Sequence, residues 1–148
     1  MMQVLRSDDL KPCFGKWKGS LTYLDYSSGK AFSLEALVTI GKLSHNDSAI
    51  TITFDYPNEP KANKTDTLTI TKRGQFFDGA RILQLKTEAN KDFEIVTEYS
   101  GPDGNDNKMA VIRKTYTLQG SSFTIRKDVQ FTGKTEWINR HHYDFVRI

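Results

Sequence analysis

The sequence predicts an all-β chain, an antiparallel up-and-down meander closed into a barrel. Three observations carry that expectation. Apolar and polar residues alternate almost end to end, as where Ile50, Ile52 and Phe54 are interleaved with Thr51, Thr53 and Asp55, and a two-residue period marks half-buried antiparallel strands. Short turn-forming stretches such as Ser27-Ser28-Gly29 and Gln119-Gly120-Ser121 separate the runs, so that successive strands are neighbours. About nine strands in such a meander would expose two sheet edges unless the sheet curled and closed. A two-sheet sandwich is the competing architecture, and it wants longer connections than this chain provides.

The elements follow in order. Ser7 and Asp8 can cap one short helical turn ahead of Pro12. Strands are expected over residues 17–26, 31–42 and 50–56, the second carrying Phe32, Leu34, Ala36, Val38 and Ile40 on one face. Residues 57–65 read as a polar loop with two prolines, and a short strand over 67–71 holds Leu68 and Ile70. Residues 75–86 are ambiguous, because Gly79 marks either a turn or a bulge. A strand over 93–99 is followed by the turn GPDGNDNK, and strands over 109–118, 122–132 and 136–148 complete the set.

A length of 148 residues suits one domain with a real core. The sequence predicts a single barrel over residues 1–148, with residues 1–14 capping one end. Hydrophobic residues make up only 37% of the chain while aromatics reach 11%, a balance that fits a barrel with much solvated surface and excludes a disordered chain. The net charge of +3 comes from lysines and arginines scattered among acids. A nucleic-acid binder gathers its positive charge on one stripe, so no nucleic-acid partner is expected. No apolar run is long enough for a membrane-spanning helix, and the opening MMQVLRSDDLKPCF lacks the apolar stretch of a signal peptide. Compartment and oligomeric state stay open. Cys13 is the only cysteine, which rules out an internal disulfide and reads as a small buried hydrophobe. The sequons at Asn46 and Asn63 read as chance matches in loops.

The stretch FGKWKGSLTY, entering the first long strand, resembles the Gly-x-Trp signature of the lipocalin and wider calycin superfamily, with Gly15 and Trp17 in its two positions. The resemblance implies a lipocalin-like barrel with Trp17 at the closed end and a basic residue from the C-terminal strand packed across it. Arg147 is the candidate for that cation–π contact.

The candidate ligand-binding residues interrupt the apolar faces of the last three strands. Lys114 falls between Ile112 and Tyr116, and Lys127 between Ile125 and Val129. His141 shares a two-residue period with Trp137, Asn139, Tyr143 and Phe145. A buried lysine without a partner is costly, but an interior that holds water or an anionic group can accept two of them. Lys114, Lys127, His141 and Asn139 would then hold the polar end of a ligand. Tyr99, Tyr116, Tyr143 and Phe54 complete the candidate ligand-binding set, with Phe and Trp side chains lining the apolar part. The alternative is a bulge that turns the lysines out to solvent. Glu94, Glu98, Arg113, Arg126, Asp128, Arg140 and His142 read as the solvated exterior, laced by cross-strand ion pairs.

No metal or cofactor is expected. His141 and His142 are adjacent and point to opposite faces of a strand, and a lone His141 reads as a hydrogen-bonded wall residue before it reads as a haem ligand. The turn from Asp103 to Asn107 lacks the final Glu of a calcium loop. The leading expectation is a carrier or sensor of a small apolar or amphipathic, anionic ligand. An enzyme using His141 and an interior lysine as acid and base is the first alternative, and a filled barrel that binds another protein is the second.

Overall fold

The computed structural model describes residues 4–43 and 47–148; Asn46 of the first sequon lies outside the described residues. A short helix α1 (Ser7–Leu10) runs into a single 3-10 turn (Lys11–Cys13). Its N-cap is Arg6 and not Ser7, because the Arg6 amide donates to the Asp9 carboxylate at 2.9 Å and so places the acid one turn inside the helix.

Ten strands follow among the described residues: β1 (Gly15–Asp25), β2 (Lys30–Lys42), β3 (Ala49–Asp55), β4 (Lys64–Thr71), β5 (Phe76–Phe77), β6 (Ala80–Thr87), β7 (Phe93–Asp103), β8 (Lys108–Gln119), β9 (Ser122–Phe131) and β10 (Ile138–Arg147). Each pairs antiparallel with its neighbours in sequence, and β10 returns to β1 to close the barrel. Closure leaves no sheet edge for another strand to pair with. The additional strand comes from residues 75–86, which split into β5 and β6 at a two-residue Asp78-Gly79 turn with φ of 52° and 76°, the positive-φ geometry of a tight hairpin. No helix among the described residues is long and apolar enough to cross a membrane.

The barrel is filled at one end. Trp17, Phe77, Phe93, Ile95, Phe123 and Phe145 pack there in one cluster with Leu5, Leu10 and Cys13 from the N-terminal segment. The remaining void within it is only about 10 Å³, too little for an organic ligand. Inward residues of β8 and β9 then turn polar at one level, where Lys114 and Lys127 are direct cross-strand partners. Beyond that level Ala110, Ile112 and Val129 form a second, smaller apolar cluster with Phe131 packed against it. A polar belt thus divides two apolar layers.

The two-residue period of the last strand breaks at a bulge. Asn139 pairs with Asp128 and His141 with Lys127, leaving Arg140 as the extra residue. A bulge of this kind puts two successive residues opposite one on the partner strand. His141 keeps its place inside, whereas Trp137 and Asn139 leave the face they were expected to share with it. Trp137 lies against the outer-face Arg113 guanidinium, 4.5 Å from its ring centre. Arg140, expected outside, instead reaches Tyr26 and Asp103.

Candidate functional site

The closed end is organised by Trp17, which is fully buried and whose indole Nε1 donates to the Cys13 carbonyl at 2.9 Å. The Arg147 guanidinium lies 4.2 Å from the Trp17 ring centre and donates to the carbonyls of Phe14, at 2.9 Å, and Pro12. The carbonyls that end the N-terminal helical turns are therefore capped by a cation that also stacks on the indole. Gly15 has φ of +124°, and a Cβ there would come within 3.1 Å of Arg147 Nη1. A side chain at this position would strain the backbone and crowd the guanidinium together.

The opposite end carries the candidate ligand site. Its pocket has a volume of about 600 Å³ and is walled by Leu21, Tyr23, Phe32, Leu34, Tyr56 and Tyr143, with Glu59 and Ala62 of the following loop at one side and Lys64 at another. Tyr23 and Phe32 are cross-strand partners with ring centres 5.9 Å apart, and they remain 37% and 46% exposed. Two neighbouring aromatic rings left half-uncovered on the inward face are unusual where the rest of that face is packed. The floor is ordered by a hydrogen bond of 2.6 Å between the Tyr56 and Tyr143 hydroxyls and by Phe54, whose ring centre lies 4.9 Å from that of Tyr143. Burial pushes the Tyr143 hydroxyl pKa up, and the Tyr56 hydrogen bond pushes it further. A phenol that stays protonated keeps this bond intact across the physiological range.

The polar belt borders this pocket, since His141 pairs with Tyr23 and its ring sits 5.8 Å from that of Tyr143. The two lysines face inward, one of the two orientations that the sequence leaves open, and each meets a different carboxylate. Lys127 Nζ contacts Asp103 at 2.8 Å, and Lys114 Nζ lies 3.9 Å from Asp78. Like charges directly opposite one another repel, and the two acids on either side offset that repulsion. Asp103 is nearly buried, which works against its charge. Hydrogen bonds from Lys127 and from the Tyr26 hydroxyl, at 2.7 Å, overcome that penalty and hold its carboxyl below the usual range. Lys114 is different: burial lowers its ammonium pKa despite Asp78, whose own carboxyl is raised by burial.

His141 is the neutral member of the belt. Burial, followed by the charges of Lys127, Lys114 and Arg140, lowers its pKa to about 4. Its Nδ1 and the Nη1 of Arg140 are buried and have no hydrogen-bond partner among the described residues.

The other expected ligand residues separate by depth. Tyr143 lines the pocket, and Phe54 lies behind it. Tyr99 is inward and 36% exposed, on the far side of the belt. Tyr116 lies deep in the filled core, edge-on to Phe77 with ring centres 5.0 Å apart, which removes it from the pocket. Asn139 is removed as well. Its side chain bonds Asp128, the Lys127 carbonyl and His142 on the outer side of the bulge. The expected outer ion pairs are also fewer across strands: Arg113 meets Glu98 at 2.7 Å, whereas Arg126 and Asp128 pair along β9 itself.

Sequence reasoning did not single out Tyr23, Phe32, Tyr56, Asp78, Asp103 and Arg140 for the site. Asp103 and Asp78 sit in turn sequences, DG in both cases, where an acid is ordinarily read as a turn former. A groove of about 690 Å³ lies beyond Asp103, between Tyr26, Phe131, Met109 and the β7–β8 turn. Its wall is largely turn residues, between β7 and β8 and after β9, whereas the mouth pocket is walled mainly by strand residues of β1, β2 and β10. Among the described residues no three His, Cys, Asp or Glu side chains group as metal ligands. No protein-family model matches the chain, and no curated protein matches it either.

Proposed function

We propose that this protein is a lipocalin-like carrier or sensor that holds a small apolar or amphipathic molecule in the mouth of its barrel, with any acidic end directed at the polar belt. The observation that carries the reading is the half-exposed Tyr23–Phe32 pair on the wall of a 600 Å³ pocket whose floor is rigid and hydrogen-bonded. Apolar walls with a few convergent polar groups are the usual composition of a small-molecule site. The filled core below limits the ligand to the mouth, so the expected occupant is compact and ring-like and not a long chain threaded through the barrel. The comparison with lipocalins rests on Gly15, Trp17 and Arg147 at the other end.

The test uses N-phenyl-1-naphthylamine, a neutral aromatic probe whose fluorescence rises in apolar surroundings. Saturable binding at one site is expected. Phe32→Ser should weaken it about ten-fold, because removing a half-buried aromatic contact costs on the order of 1–2 kcal/mol. The exposure of Phe32 means that the fold should tolerate the change. Absence of saturable binding, or equal binding by the variant, overturns the reading.

A further inference from the structure

We infer that the bulge in β10 builds an oxyanion subsite in the polar belt, next to the mouth pocket, in which Arg140 Nη1 and His141 Nδ1 receive a carboxylate or similar singly charged group of the ligand, and that the protein's own Asp103 competes for the same cations. The inference rests on reading the mouth as a ligand site and adds the group that selects the ligand's charge.

Four observations converge on it. The extra residue of the bulge brings Arg140 inside, next to His141, whereas strict alternation would have left it in solvent. Both residues end in a buried nitrogen without a partner among the described residues. An arginine Nη always carries hydrogens to donate, and a neutral imidazole can present Nδ1–H, so both atoms can address an acceptor. A buried donor without an acceptor is expensive, and two on successive residues of one bulge call for an acceptor in the working state.

The charge balance favours an anion. The partly buried charges of the belt are Lys114, Lys127 and Arg140 against Asp78 and Asp103, three cations to two carboxylates. One singly charged ligand group would balance them. Lys114 and Arg140 each stand 3.9 Å from their carboxylates, beyond a good hydrogen bond.

The fourth observation is Asp103 itself. It approaches Lys127 at 2.8 Å and Arg140 Nε at 3.9 Å, with the Tyr26 hydroxyl on its other oxygen. A lysine, an arginine and a phenol around one carboxylate form the environment a ligand's acid would need. Asp103 stands at the end of β7, so the β7–β8 hairpin supplies an internal anion to the same cluster. The Arg140 guanidinium also stacks on Tyr26, 4.1 Å from its ring centre, which leaves the guanidinium edge, and not its face, to meet an acceptor. The stack holds the arginine in place before a ligand arrives, and a preorganised donor binds without further ordering cost.

The experiment compares two probes that share one ring system. 8-Anilinonaphthalene-1-sulfonate carries an anionic group, and N-phenyl-1-naphthylamine lacks it. Wild-type protein should bind the anionic probe more tightly than the neutral one. Arg140→Met should weaken the anionic probe by about ten- to a hundred-fold, the range for one charge-assisted hydrogen bond, and leave the neutral probe unchanged. Asp103→Asn should tighten the anionic probe, because Asn retains an acceptor for Tyr26 while releasing Lys127 and Arg140 from a carboxylate. Saturation with the anionic probe should also raise the His141 pKa in an NMR titration of the wild-type protein, because a nearby negative charge favours imidazolium. If Asp103→Asn does not fold, the wild-type His141 titration still decides. Neutral probe bound without preference for the anion, or an unmoved His141 with anionic probe saturating, overturns the subsite and leaves the mouth pocket standing. Failure of both probes to bind overturns the mouth pocket itself.

Discussion

Gly19 has no room for a methyl group. An ideal Cβ there would lie 1.7 Å from the carbonyl oxygen of Asp144 on β10, so Gly19→Ala must push apart the two strands whose pairing closes the barrel. The variant should lose about 1–3 kcal/mol, the usual cost of forced overpacking, read as a lower urea midpoint. A midpoint equal to the wild-type value would mean that β1 and β10 do not approach at this position. A second residue sets a pH dependence. His141 has its folded pKa lowered to about 4 by burial and by the neighbouring cations, against an ordinary 6.5. The unfolded chain therefore binds the proton first, so the stability is full above pH 6.5 and is lost as pH falls towards 4. Between pH 7 and pH 5 this one group should remove about 2 kcal/mol. His141→Phe should flatten that part of the urea-midpoint profile, with Asp103 and the other acids still acting below it. A profile equally steep in the variant would show that His141 is solvated and not held neutral.

At the scale of elements, the strands were legible wherever side chains alternate on a face that packs. Ile50, Ile52 and Phe54 of β3 and Phe123 and Ile125 of β9 declare their inward faces in the sequence and are buried in the fold. What escaped were elements fixed by backbone geometry. The two residues of β5 are too few to show a period, and their strand exists because the Asp78-Gly79 turn folds Phe77 back against Ala80. The bulge in β6 pairs Ile82 with Thr97 and Gln84 with Val96. It turns Leu83 out to 47% exposure against its hydrophobicity. The bulge in β10 matters most for the site. Alternation correctly assigned His141, Tyr143 and Phe145, then assigned Asn139 and Trp137 to the wrong face and Arg140 to solvent. One inserted residue inverts everything beyond it, and no side-chain pattern in INRHHYDFVR announces it. The positions of the lysines were legible, since each interrupts an otherwise continuous apolar face, but their inward direction was settled only by the unbulged pairing of β8 with β9. Their partners were not legible, because a turn acid reveals its direction only once the hairpin is folded.

Across the whole molecule the polar belt separates a sealed end from the barrel mouth, and Cys13 reports on the seal. Its thiol is buried, donates to the Leu10 carbonyl at 3.0 Å, and has its pKa raised to about 12 by burial. The thiolate is the reactive form, so alkylation requires an opening that brings water to Cys13. Two openings are conceivable: the N-terminal segment lifting alone, or the barrel unfolding with it. Lifting alone would break the Leu5 amide bond to the Gly74 carbonyl and the Arg147 bonds to Pro12 and Phe14. It would also uncover Leu5, Leu10 and the Trp17 indole, each apolar side chain worth about 1.5–3 kcal/mol of burial. These terms together approach the total stability of an ordinary domain, about 5–15 kcal/mol, so partial opening has little advantage over complete unfolding. Native-state labelling of Cys13 with iodoacetamide should therefore accelerate with urea along the same slope as global unfolding followed by tryptophan fluorescence. Labelling that proceeds with a much shallower slope would show the segment detaching on its own. The closed end would then be a hinged cover, and the filled core beneath it would be reachable from both ends of the barrel.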